Sequence, residues 1–150
     1  TKVDRGAAEF ARNTQVDRSR TVVVEFDANG RGAWKFRPEV GSLNVHPGEL
    51  GTVVYDLENT RAVPTTGQAI PSYAPRVSAE YFRKIECFCF QQQELGANES
   101  RRFPVVFVVD PKLPKDVNTI TLSYTFFEVG GKSAAAQPRQ DGGVRVGQGG

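Results

Sequence analysis

Apolar and polar residues alternate with a period of two along much of the chain, the signature of strands with one buried face. Thr21-Val22-Val23-Val24-Glu25-Phe26 is rich in β-branched residues and reads as a strand, and Asn29-Gly30-Arg31-Gly32 follows as a turn. Trp34 and Phe36 alternate with Lys35 and Arg37 as far as Pro38. Leu43 and Val45 form a short alternating piece, Pro47-Gly48-Glu49 turns the chain, and residues 52–57 make another strand closed by Asn59. Residues 61–75 hold Pro64, Gly67, Pro71 and Pro75, so irregular or edge structure is expected there. Residues 78–82 suit one helical turn, and residues 85–91 a strand.

Further on, Gly96-Ala97-Asn98-Glu99 is a turn. Residues 103–109 are apolar on both faces, which predicts a doubly buried strand with Pro104 near its start. Residues 119–129 form the last strand, with Ile120, Leu122, Tyr124 and Phe126 on one face. About seven short strands with turns every 8–12 residues and no long helix predict an all-β fold, an immunoglobulin-like antiparallel β-sandwich. The sandwich is assigned to residues 20–129. Residues 1–19, polar and without period, are expected to be a linker that follows a membrane anchor lying outside this chain. Residues 130–150, rich in Gly, Gln and Arg, are expected to be a disordered tail.

At 150 residues the chain suits one domain. A net charge of +2 from interspersed residues gives no basic face for nucleic acid. No run of about 18 apolar residues is present to span a bilayer. With two Cys, one His and no Met, the chain cannot build a site from several His ligands or a blue-copper centre. The Cys pair and one His fall short of a tetrahedral zinc site. A bound metal must therefore be held mainly by thiolates. His46, in a turn, reads as an exposed turn residue rather than a ligand, and Trp34 as core. No catalytic triad, paired carboxylates or phosphate loop stands out, so an enzyme is not expected.

The candidate chemistry lies in Cys87-Phe88-Cys89-Phe90. On a continuous strand Cys87 and Cys89 share one face and the two Phe the other. With the Phe in the core, both sulfurs point outward. Their Cα atoms would stand roughly 6.6 Å apart, at the upper limit for a disulfide, so an internal bond would distort the strand. Cu(I) accepts few ligands and prefers thiolates, so two sulfurs suffice. Arg83 and Lys84, just upstream, are candidates for a partner or charge role beside the thiolates. Lys84 has the wrong strand parity to share the Cys face unless the chain bends there.

The run Tyr81-Phe82-Arg83-Lys84-Ile85-Glu86-Cys87-Phe88-Cys89-Phe90-Gln91-Gln92-Gln93 resembles the signature of the copper-chaperone family for cytochrome c oxidase assembly, the CtaG type. Trp34-Lys35-Phe36 with Pro38, Pro47-Gly48-Glu49, Asp110-Pro111 and Leu122-Ser123-Tyr124-Thr125-Phe126-Phe127 match further family landmarks in order. The resemblance covers residues 20–129. It implies an immunoglobulin-like domain behind an N-terminal anchor, and Cu(I) carried on Cys87 and Cys89. It also implies a copper-linked homodimer, a copper-donating chaperone upstream, and delivery to the Cu(B) centre of the oxidase catalytic subunit. The family's membrane-proximal third Cys is not in this chain. Pro71-Ser72-Tyr73-Ala74-Pro75 and Glu86 depart from the mitochondrial pattern, which favours the periplasmic side of a bacterial inner membrane over the mitochondrial intermembrane space. Two other readings stay open: a thiol-disulfide redox protein acting on oxidase assembly factors, and a sandwich with buried, inert Cys.

Overall fold

The computed structural model describes residues 2–87 and 91–130. Two five-stranded sheets face each other. The first has the order β1 (Lys2–Val3), β7 (Phe82–Cys87), β9 (Ser100–Val109), β5 (Leu50–Asn59), β3 (Trp34–Pro38). The second has the order β4 (Ser42–Val45), β2 (Val22–Gly30), β10 (Thr119–Glu128), β6 (Thr65–Ala74), β8 (Gln93–Leu95). The expected all-β sandwich is therefore present, with one departure from antiparallel pairing: β10 runs parallel to β2, Thr119 opposite Val23 through Phe126 opposite Gly30.

The alternation seen in the sequence is the burial pattern of the strands. Val22, Val24, Ile120, Leu122 and Phe126 from one sheet meet Val53, Leu57, Val105 and Phe107 from the other, all essentially inaccessible to water. Trp34 is buried, as expected, and packs edge-on against Phe126 with ring centroids 4.7 Å apart. Each such aromatic side chain removes a large apolar area from water and fixes the spacing of the layers.

Four segments differ from expectation. Residues 65–74 are a ten-residue strand rather than irregular chain, paired with β10 from Gly67 to Ala74. On its other side β8 pairs with Thr65, Thr66 and Gly67, so Pro71 lies on a stretch without a described neighbour there and its missing N–H breaks no described ladder. Pro104 sits mid-strand in β9, where the described pairing with β7 has already stopped at Val106. From Phe103 to Val109 one face of β9 is buried, while on the other Pro104 and Val106 are half-buried and Val108 is buried. The expected helical turn is a short 3-10 segment, Arg76–Glu80.

The fourth difference lies at the N-terminus. Residues 1–19, expected to be a linker, contain β1 and a nine-residue helix, α1 (Arg5–Asn13). Asp4 caps α1, its carboxylate accepting the Ala7 N–H at 3.0 Å. Beyond the helix, the Asp17 N–H donates to the Pro47 carbonyl at 2.9 Å. Gly48 has φ +89, and a Cβ there would lie 2.4 Å from the Gln15 carbonyl oxygen, so this crossing needs glycine. The expected tail at 130–150 lies, beyond Gly130, outside the described residues.

Candidate metal-binding cysteine site

β7 carries the site to the sandwich edge, and it is not a flat strand. Lys84 pairs with Phe107 and Glu86 with the next residue, Val106, so Ile85 is one residue more than the partner strand matches. Such a bulge resets the alternation of faces. Phe82 and Lys84 point toward the second sheet, and without the bulge Cys87 would point away. With it, Cys87 joins their side and is 0% exposed. The expectation of an outward-facing Cys87 is thus corrected. The parity argument assumed an unbroken strand, and Ile85 breaks it.

Cys87 Sγ lies 3.1 Å from the Tyr124 hydroxyl of β10, across the sandwich. Its sulfur is disulfide-bonded, whereas the sequence reading disfavoured an internal bond on the spacing of a regular strand. Cys89, with Phe88 and Phe90, lies outside the described residues.

Lys84 also reaches inward. Its ammonium donates to the Tyr73 hydroxyl of β6, with Nζ 5.0 Å from that ring's centroid. Burial lowers the Lys84 pKa, because the charged form gives up hydration there. Burial likewise raises that of Tyr73 to about 12, and raises those of Tyr55 and Tyr124. Tyr55 and Tyr124 meet edge to face, 5.5 Å between centroids. The interior beside Cys87 is therefore lined with phenols rather than hydrocarbon alone.

Arg83 points to the other side of β7. Its Nη2 donates to Asp110 Oδ2 at 3.0 Å, a carboxylate itself well buried, and its guanidinium lies 4.3 Å from the centre of the Phe10 ring of α1. Of the two cations singled out in the sequence, Lys84 shares the side of Cys87 and Arg83 does not. His46 is half-buried rather than exposed, with Nδ1 2.8 Å from the Arg20 carbonyl, to which it donates. Among the described residues no three of His, Cys, Asp and Glu cluster as metal ligands. Sequence reasoning missed Tyr73 and Tyr124 as neighbours of the site. The signal was available: a Tyr within the apolar stripe of β10 needs a buried partner for its hydroxyl.

These features can be set beside known proteins. The family model described as "Cytochrome c oxidase assembly protein CtaG/Cox11" matches residues 1–128. The chain belongs to that family. Curated relatives named cytochrome c oxidase assembly protein CtaG include one from Nitrobacter hamburgensis, 49% identical over 127 residues, covering 80% of this chain and 58% of that protein. Another, from Rhodopseudomonas palustris, is 46% identical over 125 residues, covering 79% and 59%. A third, from Bradyrhizobium diazoefficiens, is 41% identical over 131 residues, covering 83% and 60%. The chain thus spans about three-fifths of the length of these relatives. The match begins at residue 1, so the family region includes β1 and α1 as well as the sandwich.

Proposed function

We propose that this chain is the copper-handling domain of an oxidase assembly factor. In this reading it carries Cu(I) on Cys87 and Cys89 and passes it to the catalytic subunit of cytochrome c oxidase at Cu(B). The observation that carries the proposal is a coincidence of family and inventory. A chain of an oxidase assembly family has two cysteines, spaced as a pair, no Met, and one His whose Nδ1 is engaged by a backbone carbonyl. Once a thiol reductant supplies the two electrons that open the disulfide at Cys87, two thiolates are the soft ligands it can offer, and Cu(I) is the cargo that suits them. The role is that of a carrier, with no bond of a substrate made or broken by the protein.

Transfer follows as ligand exchange. A second copy of the chain completes the coordination of the metal, a donor chaperone loads it, and acceptor ligands replace the thiolates one at a time. The working location is the periplasmic side of the bacterial inner membrane. Lys84, on the Cys87 side of β7, offsets part of the negative charge of a bis-thiolate copper centre.

The test is the Cu(I) stoichiometry of the reduced protein under a competing chelator, for wild type, Cys87→Ser and Cys89→Ser. About one Cu(I) per chain, lost in either variant, is the expected result. Binding indifferent to both substitutions would overturn the proposal. A second reading has its own support in the disulfide at Cys87: a thiol-disulfide exchange protein of oxidase assembly. It predicts redox cycling with partner thiols without copper, and predicts no need for stoichiometric Cu(I).

A further inference from the structure

β1 and α1 lie against β7, the strand that delivers Cys87. The β1 ladder sets Lys2 opposite Cys87 and Val3 opposite Glu86. The next residue continues the grip: the Asp4 N–H donates to the Ile85 carbonyl at 2.7 Å, on the bulge residue itself. α1 then places Phe10 under the Arg83 guanidinium, 4.3 Å from its carbon to the ring centre. From Lys2 to Phe10 the chain therefore covers the outer edge of β7.

The attachment is thin. Ala7 is the buried residue of α1, Phe10 is half-buried, and Val3 is 58% exposed. Ordering a dozen residues costs backbone and side-chain entropy at each one, and so few buried atoms return little. Segments with this balance open far more often than the core does. Downstream the segment is fixed, because the Asp17 N–H is bonded to the Pro47 carbonyl and Gly48 is crowded by Gln15. The opening element is thus residues 2–14, hinged where Gln15 meets Gly48. When it leaves, β7 becomes the edge of its sheet, with a bulge at Ile85 and Cys87 as its last described residue. A short bulged edge strand frays from its end.

We propose that β1 and α1 form a removable strap that governs access to Cys87. With the strap on, β7 is an interior strand and the Cys87 sulfur stays against Tyr124. With the strap off, the end of β7 swings out, the disulfide at Cys87 meets a thiol reductant, and the thiolate so formed meets solvent, reagent or metal. The proposal rests on Cys87 being a working sulfur, as proposed above, and gives its burial a purpose: the sulfur is released on demand rather than displayed.

Two substitutions loosen the strap at separate points. Asp4→Pro removes both the N–H bonded to Ile85 and the carboxylate cap of α1. Phe10→Ala removes the ring under Arg83. In the reduced full chain, two rates are read: site-resolved alkylation of Cys87 by peptide mass spectrometry, and amide exchange over residues 2–13 and 82–87. The expected result is a tenfold or greater rise in Cys87 alkylation with either variant. Exchange should accelerate in both segments, while β5 and β10 keep wild-type protection. Alkylation unchanged although residues 2–13 exchange faster would overturn the proposal. So would alkylation that rises only together with exchange in β5 and β10, since that is global unfolding. Unaltered exchange over residues 2–13 in both variants would overturn it too, because the named contacts would not be what holds the strap. Neither rate involves copper, so the strap and the copper reading fail separately.

Discussion

The two edges of the first sheet are built on opposite terms. At the β3 edge, Trp34 and Phe36 pack against Phe126, and Phe36 stacks on Tyr55 at 5.3 Å, so the interior is filled by ring volume. At the β7 edge the strand is bulged, a lysine and a cysteine point inward, and phenol hydroxyls receive them. The first edge maximises burial of hydrocarbon. The second accepts groups that burial disfavours and closes itself with a lightly held strap. The contrast teaches where this sandwich spends its stability. Rigid packing at one end supports a polar, openable end at the other, the usual division between scaffold and site.

Removing volume from the packed end has the largest expected effect. Phe126→Ala leaves a cavity beneath Trp34 and Phe36 and costs about 3–5 kcal/mol, read by chemical denaturation. A cost below about 1 kcal/mol would show that the two edges are packed alike. Adding volume there is the next step. A Cβ on Gly67 would lie 2.3 Å from the Phe126 ring and 2.8 Å from the Phe127 carbonyl oxygen. Gly67→Ala therefore costs about 1–3 kcal/mol through overpacking, and a neutral result would mean that β6 yields more readily than its pairing suggests.

The smallest effect has the opposite sign and belongs to the β7 edge. Burial lowers the Lys84 pKa from its ordinary 10.5. Between the folded value and 10.5 the unfolded chain holds more protons, so stability contributed at this position rises with pH through that window. Below the folded value both states are protonated and the full penalty is present. Lys84→Met should accordingly raise the melting temperature at pH 7, with a gain that shrinks as pH approaches 10. The scan stops there because Tyr73, pushed up to about 12, brings a countervailing loss above its ordinary value. No gain at pH 7 would show that the hydrogen bond to Tyr73 offsets the desolvation of Lys84.

The legible parts of the sequence were those where one period governs a whole strand. β2, β3, β5 and β10 follow from simple alternation, and their inward residues are the core. Four of the five landmarks prove to be scaffold. Trp34 and Phe36 fill the core, and the Gly48 N–H donates to the Val109 carbonyl at 2.8 Å. Asp110 accepts the Lys112 N–H and binds Arg83, while Tyr124 and Phe126 line the β10 stripe. The cysteine pair stood out in the sequence as a candidate site, but the facing of Cys87 did not. A bulge is a pairing between strands, and no periodicity within β7 announces that Ile85 is supernumerary. The helix at residues 5–13 was hidden for a related reason. Its polar composition buries one alanine, so the apolar stripe that marks most helices is missing.

The parallel pairing of β10 with β2 has a consequence for the order in which the molecule comes into being. β10 lies between β2 and β6, and its Thr121 hydroxyl bonds Glu25 across 96 residues of sequence. While the chain grows from its N-terminus, β2 and β6 are made early and wait, each lacking the strand that joins them. The second sheet closes only when residues 119–128 arrive, and long-range closure of this kind is slow. The Tyr124 hydroxyl that meets Cys87 comes with that same strand. During synthesis the cysteine therefore has a period of exposure that the finished fold ends, and the last made of the described strands is the one that puts the sulfur away.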